Sequence, residues 1–154
     1  VKAIGAAFEE AGMHCIVSDN IMGVIWDKLL VNVATGAVCG ITHLPYGDMY
    51  QEEKLVATAV AAVQEGMDVA AKAGVKLTYS NPMDVLELAR AGLPYDFKPS
   101  ILQSLEKHRP TEVGVINGAV VAQGAKHGVP TPVNETLVAC VTGIERYIRE
   151  YINK

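Results

Sequence analysis

Apolar residues recur along most of this chain at the spacing of amphipathic helices. Residues 1–12, VKAIGAAFEEAG, read as a helix that Gly12 ends. A long helix should follow from an Asp19 or Asn20 cap to about Cys39, with Ile21, Val24, Ile25, Leu29, Val31 and Val33 as most of its buried surface. Gly40 to Gly47 reads as a loop closed by Pro45 and Asp48. A second long helix covers roughly 51–73, with Leu55, Val56, Ala59, Val60, Val63, Met67 and Val69 inward and Gly74 as its stop. Asn81-Pro82 opens a third helix, to about residue 91, and the Pro- and Gly-containing stretch 92–99 is a connection. A short polar helix over 100–107 comes next. A fifth starts at Pro110, with Val113, Ile116, Val120 and Val121 inward. A last one starts at Thr131-Pro132, with Leu137, Val141, Ile144, Tyr147 and Ile148 on one side.

One stretch breaks the helical period. MHCIVSD sets Cys15, Ile16 and Val17 in a short apolar run that reads as a strand. A single helix and strand ahead of so many helices look like the last αβ unit of a preceding α/β domain. The expected organisation is therefore a remnant helix and strand over 1–19 and an all-α domain over 20–154. Gly66, Gly114, Gly118, Gly124 and Gly143 fall inside predicted helices, which points to backbones in close approach.

Composition narrows the function classes. The 154 residues suffice for one sizeable core. A net charge of -4 with no basic stripe argues against a nucleic-acid partner. No uninterrupted apolar run reaches membrane-spanning length, and no signal peptide is visible, so no membrane is expected. Cys15, Cys39 and Cys140 are odd in number and widely spaced, which suits reduced thiols in the cytoplasm. No Cys or His pair has metal-ligand spacing, so no metal is expected. Val1 opens within an amphipathic pattern, as part of a longer chain would.

Five polar residues fit a bland helical core poorly. Lys28 and Asn32 are four residues apart in the apolar segment IWDKLLVN and share one helical face. Either Lys28 snorkels to water while Asn32 caps a loop, or the two are aimed into a cleft. Ser100 stands at a helix start, as an N-cap, as an anion-binding hydroxyl, or as both. Glu112 reads as a first-turn acid and Asn117 as an amide interrupting the same helix. Together they would suit reduction of a 2-oxo acid. Hydride delivery to a ketone builds negative charge on its oxygen, which a protonated lysine can neutralise. A glutamate would hold that lysine, while hydroxyl and amide groups orient the substrate.

The segments WDKLLVN, KPSILQSL and RPTEVGVINGAVVAQGAKHGVPTPVN closely resemble the C-terminal domain of the ketopantoate reductase (2-dehydropantoate 2-reductase) family, over essentially residues 14–150. The resemblance implies a helical domain of the 6-phosphogluconate dehydrogenase C-terminal-like type. It implies that Lys28 is the general acid and that Glu112 supports it. Asn32 and Ser100 would contact substrate, and Asn117 is assigned with them. Three positions depart from the family pattern: Gly36 where an asparagine is common, Ser104 for an aspartate and Ile101 for a methionine. They leave a different 2-oxo acid open as substrate. The family carries NADPH on an N-terminal Rossmann domain, and no G-x-G-x-x-G turn follows a strand in this chain, so its cofactor residues are not assigned here. The chain alone is expected to be inactive, and the apolar segment His14–Ser18 predicts a homodimer. Two rival expectations are a related dehydrogenase of another 2-oxo or 2-hydroxy acid, and a helical dimerisation module without chemistry.

Overall fold

A computed structural model describes residues 1–153. Its eight α-helices are α1 (Lys2–Glu10), α2 (Ile21–Thr42), α3 (Tyr46–Gln51), α4 (Glu53–Lys72), α5 (Pro82–Arg90), α6 (Ser100–Glu106), α7 (Asn117–His127) and α8 (Pro132–Tyr147). A 3-10 turn (Val113–Val115) precedes α7, and a π turn (Ile148–Ile152) extends α8. The described residues contain no strand, and the family of helices forms around α2, which packs against α3, α4, α5, α6 and α8.

The expected strand is corrected. Residues 13–18 adopt no regular secondary structure, because no neighbouring strand exists among the described residues to complete a ladder. They instead fold back along α1, where Val17 lies against Gly5, and the Glu9 carboxylate accepts the Cys15 N–H.

The buried face of α2 also differs from expectation. Ile21, Met22, Val24 and Ile25 are all more than half exposed, since among the described residues the 75–79 segment covers the first turns of the helix only on the Gly23 side. The buried surface comes from Trp26, Leu30, Val33 and then the small run Ala34, Ala37, Val38 and Cys39. Small residues there let neighbours close in: Ile101 of α6 presses on Gly36 and Gly40, and Leu30 reaches into the notch at Gly66 of α4. By length and composition α2 could cross a membrane, with a mean hydropathy of 1.5 in spite of Asp27 and Lys28. The apolar run is interrupted by those two charges, as the sequence reading had it, and 61% of that window is buried within this fold as its core helix.

Other boundaries moved for local reasons. Asn20 occupies the N-cap position of α2, yet its amide donates to the Lys76 carbonyl (2.9 Å) instead of accepting from the helix. Asp27 accepts the Thr78 N–H (3.1 Å), so the N-cap residue and one α2 side chain fasten the 75–79 segment. Part of the expected 40–47 loop is helix: α2 continues to Thr42, and α3 begins at Tyr46. No helix begins at Pro110. Ile116 (φ -102°, ψ -91°) kinks the backbone between the 3-10 turn and α7. Tyr147, expected inward, is 56% exposed and stacks on Tyr151. Of the helical glycines, Gly66 and Gly124 are crowded, Gly118 is in ordinary contact, and Gly114 and Gly143 face open space.

Candidate functional site

A cleft of about 290 Å³ lies beside the middle of α2. Asn32, Thr35 and Gly36 of α2 form one wall, with Tyr46 of α3. The connection from α5 contributes Leu93, Phe97 and Pro99, and α6 begins at its edge with Ser100 and Ile101. Ile116, at the kink before α7, closes it.

Two of the five sequence-predicted site residues therefore line one cavity, and a third is bonded to one of them. Asn32 is exposed and makes no hydrogen bond among the described residues, so its amide is available. Ser100 is the first residue of α6, with Pro99 at the N-cap position, and its hydroxyl donates to Glu112 Oε2 (3.4 Å). That corrects the capping reading. The anion reading weakens with it, because a seven-residue helix carries little macrodipole. Glu112 is exposed and precedes the 3-10 turn instead of occupying the first turn of a helix.

Lys28 does not line the cleft. It is exposed one turn before Asn32 on the same face, about 6 Å back along the axis by helix geometry, and forms no ion pair among the described residues. The expected pairing of its ammonium with Glu112 is absent among these residues.

Asn117 is placed elsewhere. It is fully buried, and its Nδ2 donates to Asn134 Oδ1 (3.0 Å), while its Oδ1 has no partner among the described residues. Asn134, itself fully buried, donates to the Ala62 carbonyl (2.9 Å) and to Glu65 Oε2 (2.7 Å). The Glu65 carboxylate also accepts the Val133 N–H (2.8 Å) and the Asn134 N–H (2.9 Å), and so caps α8 from α4. This clamp joins α4, α7 and α8 and fixes the backbone at which Ile116 enters the cleft. Sequence reasoning grouped Asn134 only within the GVPTPVN block and passed over Glu65, whose partners lie 68 and 69 residues away.

Thr35 and Tyr46 were also passed over. Their hydroxyls meet at 2.6 Å, both residues being buried at the cleft wall. Burial pushes the Tyr46 phenol above its usual range, against the smaller opposing effect of the Thr35 hydrogen bond, so it stays protonated. Thr35, at i+3 from Asn32, was readable from helical spacing, whereas Tyr46 lies on the unforeseen α3.

No three His, Cys, Asp or Glu side chains converge as a metal site among the described residues. Nor do these residues build a dinucleotide cradle: there is no sheet and no glycine-rich strand-to-helix turn.

Comparison with known proteins bears on this geometry. The family model described as ketopantoate reductase PanE/ApbA C terminal matches residues 20–145. The 2-dehydropantoate 2-reductase of Archaeoglobus fulgidus is 31% identical over 144 residues, which is 94% of this chain and 48% of that protein. A solved PanE/ApbA family ketopantoate reductase from Ralstonia eutropha superposes with a TM-score of 0.86 at 32% identity, over 97% of this chain and 49% of that one. A D-mandelate dehydrogenase solved with NADH and anilino(oxo)acetate superposes with a TM-score of 0.83 at 27% identity, over 96% of this chain and 48% of that one. The chain spans about half the length of the curated relatives it matches.

Proposed function

Because this chain belongs to the PanE/ApbA family of ketopantoate reductase C-terminal domains, we propose that it is the substrate-binding and catalytic half of an NADPH-dependent 2-dehydropantoate 2-reductase. The observation that carries the reading is the joining of distant segments at one cleft: Asn32 and Ser100 line it, and Ser100 is bonded to Glu112. Substrate enters with its carboxylate toward the Ser100 hydroxyl, which turns its one hydrogen from Glu112 to meet it, and its keto group toward the face shared by Asn32 and Lys28. The Asn32 amide orients the ketone by hydrogen bonding. The Lys28 ammonium gives its proton to the oxygen as negative charge develops there. Glu112 holds Ser100 and, once substrate draws the lysine inward, balances its charge. Asn117 acts as a positioning residue through the clamp to Asn134. A nicotinamide held by an N-terminal domain of the family's kind would supply the hydride, and without it this chain would turn nothing over.

Lys28→Ala in the full-length protein tests the assignment. Loss of the general acid lowers kcat by about 10²–10⁴-fold with the circular dichroism spectrum unchanged. Near-normal turnover would mean that Lys28 merely snorkels and that the domain has no chemistry of this kind.

A second reading keeps the reaction and changes the substrate. The D-mandelate dehydrogenase neighbour and the apolar lining by Leu93, Phe97, Ile101 and Ile116 favour another 2-oxo acid. Steady-state rates of the full-length protein on a panel of oxo acids decide between them. The exposed apolar residues of the N-terminal segment support a homodimer. Sedimentation showing only monomer across micromolar concentrations would refute that part.

A further inference from the structure

In the reductase reading above, on which this inference rests, Glu112 balances the charge of Lys28, yet little holds Glu112 itself. Its side chain is exposed, and its one hydrogen bond among the described residues is the 3.4 Å contact from Ser100. That contact is given up when the serine hydroxyl turns to substrate, so the place of the carboxylate is set by the backbone beneath it. This backbone is irregular. Residues 107–112 lie outside any helix between α6 and the 3-10 turn, and His108 is left-handed (φ 54°).

The fixed point comes from α8. Leu137, Val141 and Ile148 form its buried stripe, and Glu145 falls in the same stripe, four residues after Val141 and three before Ile148. A carboxylate at such a position needs a donor close by. Glu145 Oε1 accepts the Thr111 N–H at 2.6 Å, a short, charge-assisted bond across 34 residues of sequence. Arg109 and Arg149 line the cavity beside Glu145 but form no ion pair with it among the described residues, so the Thr111 N–H is its one partner there. From Thr111 the grip passes to its neighbour. The Thr111 hydroxyl accepts the Val113 N–H (3.2 Å), and the Glu112 carbonyl accepts the N–H groups of Val115 and Ile116 (3.0 Å each). Asn134, three residues before Leu137, holds the far end of this segment through Asn117. One helix thus grips residues 111–117 at both ends, and Glu112 sits at the Glu145 end.

We infer that Glu145 is a positioning residue for the reduction: its carboxylate fixes the Thr111 backbone and so aims Glu112 at the lysine. Alanine in its place takes the acceptor from the Thr111 N–H and frees the 107–112 connection to shift. Glu112 then no longer meets the Lys28 charge squarely in the transition state. Substrate, held by Ser100 and Asn32, still binds, so the loss falls on kcat.

The test uses the full-length protein with NADPH and 2-dehydropantoate. Glu145→Ala should lower kcat by about 10–100-fold and leave KM for the acid within about threefold. Glu145→Gln, whose amide oxygen still accepts the Thr111 N–H, should stay within about threefold of wild-type kcat. Glu145→Asp keeps the charge but is one methylene too short to reach, so it should fall as alanine does; it also serves if the alanine variant does not fold. Made in a Glu112→Ala background, Glu145→Ala should lower kcat by less than about threefold more, because no carboxylate is left to aim. An unchanged kcat in folded Glu145→Ala, or an equal loss in both backgrounds, overturns this inference while the reductase reading stands. A wild type that does not reduce 2-dehydropantoate, or Glu112→Ala with wild-type turnover, overturns that reading, and this inference with it.

Discussion

Asn134→Ala removes the centre of the clamp that holds α4, α7 and α8 together. Three side-chain bonds disappear: to the Ala62 carbonyl, to the Glu65 carboxylate and from Asn117. Neutral bonds contribute about 1 kcal/mol each and a charge-assisted one about 2 kcal/mol, giving about 4 kcal/mol in all. Alanine's better helix propensity returns about 0.6 kcal/mol. The net loss of about 3 kcal/mol is a large part of the 5–15 kcal/mol or so that holds a typical domain. Urea unfolding followed by the fluorescence of Trp26, the only tryptophan and 7% exposed, measures it directly. Asn134→Asp should be worse than alanine, because it sets a second carboxylate against Glu65. A loss below about 1 kcal/mol, or an aspartate variant as stable as wild type, would mean that the clamp is incidental.

Two glycines inside helices should respond with opposite sign. Gly66→Ala puts a Cβ 2.5 Å from Leu30 Cδ2, and Leu30 is fully buried with nowhere to retreat, so stability falls by about 1–2 kcal/mol net in a thermal melt. Gly143→Ala meets nothing within 4 Å and should gain up to about 1 kcal/mol. Burial pushes the Cys39 thiol up to about 12, so iodoacetamide at pH 8 should modify exposed Cys140 and leave Cys39 intact until unfolding; mass spectrometry of peptides checks this. The same shift makes the fold alkali-sensitive. The contribution is complete below pH 9.0, the ordinary thiol value. It is lost as the pH climbs toward about 12, where the unfolded chain releases a proton that the folded one keeps. Tyr46 and Tyr50, raised chiefly by burial, add in the same direction, and denaturation midpoints between pH 8 and 11 should fall.

Much of the helical layout is legible because it depends on local punctuation. Gly12, Gly74 and Gly128 end helices in left-handed geometry, and Asn81 caps α5 by accepting the Met83 N–H. What could not be read depended on distant neighbours. The first turns of α2 look like core by their apolar period, yet burial is decided by what packs on them. The run at Cys15–Val17 has strand composition and no strand beside it. YGDMYQ lacks an apolar period, so α3 is invisible before Tyr46 and Met49 are seen to be buried by other helices. In the site, types and spacing picked out Asn32, Ser100 and Glu112, which the fold brings near one another. Asn117 looked the same in sequence and belongs to the clamp, a distinction made by Asn134 and Glu65 from elsewhere in the chain.

The exposed apolar side chains of α1 and the segment after it (Ile4, Phe8, Met13, Ile16), with those of the first turns of α2 (Ile21, Ile25), give the molecule a solvent-dependent character. Water next to so much hydrocarbon is held at a free-energy cost that lyotropic salts such as ammonium sulfate increase. The isolated polypeptide should therefore salt out early, light up hydrophobic dyes while still fully folded, and become better behaved in mild detergent. Dye fluorescence, usually taken as a sign of damage, would here report a native surface.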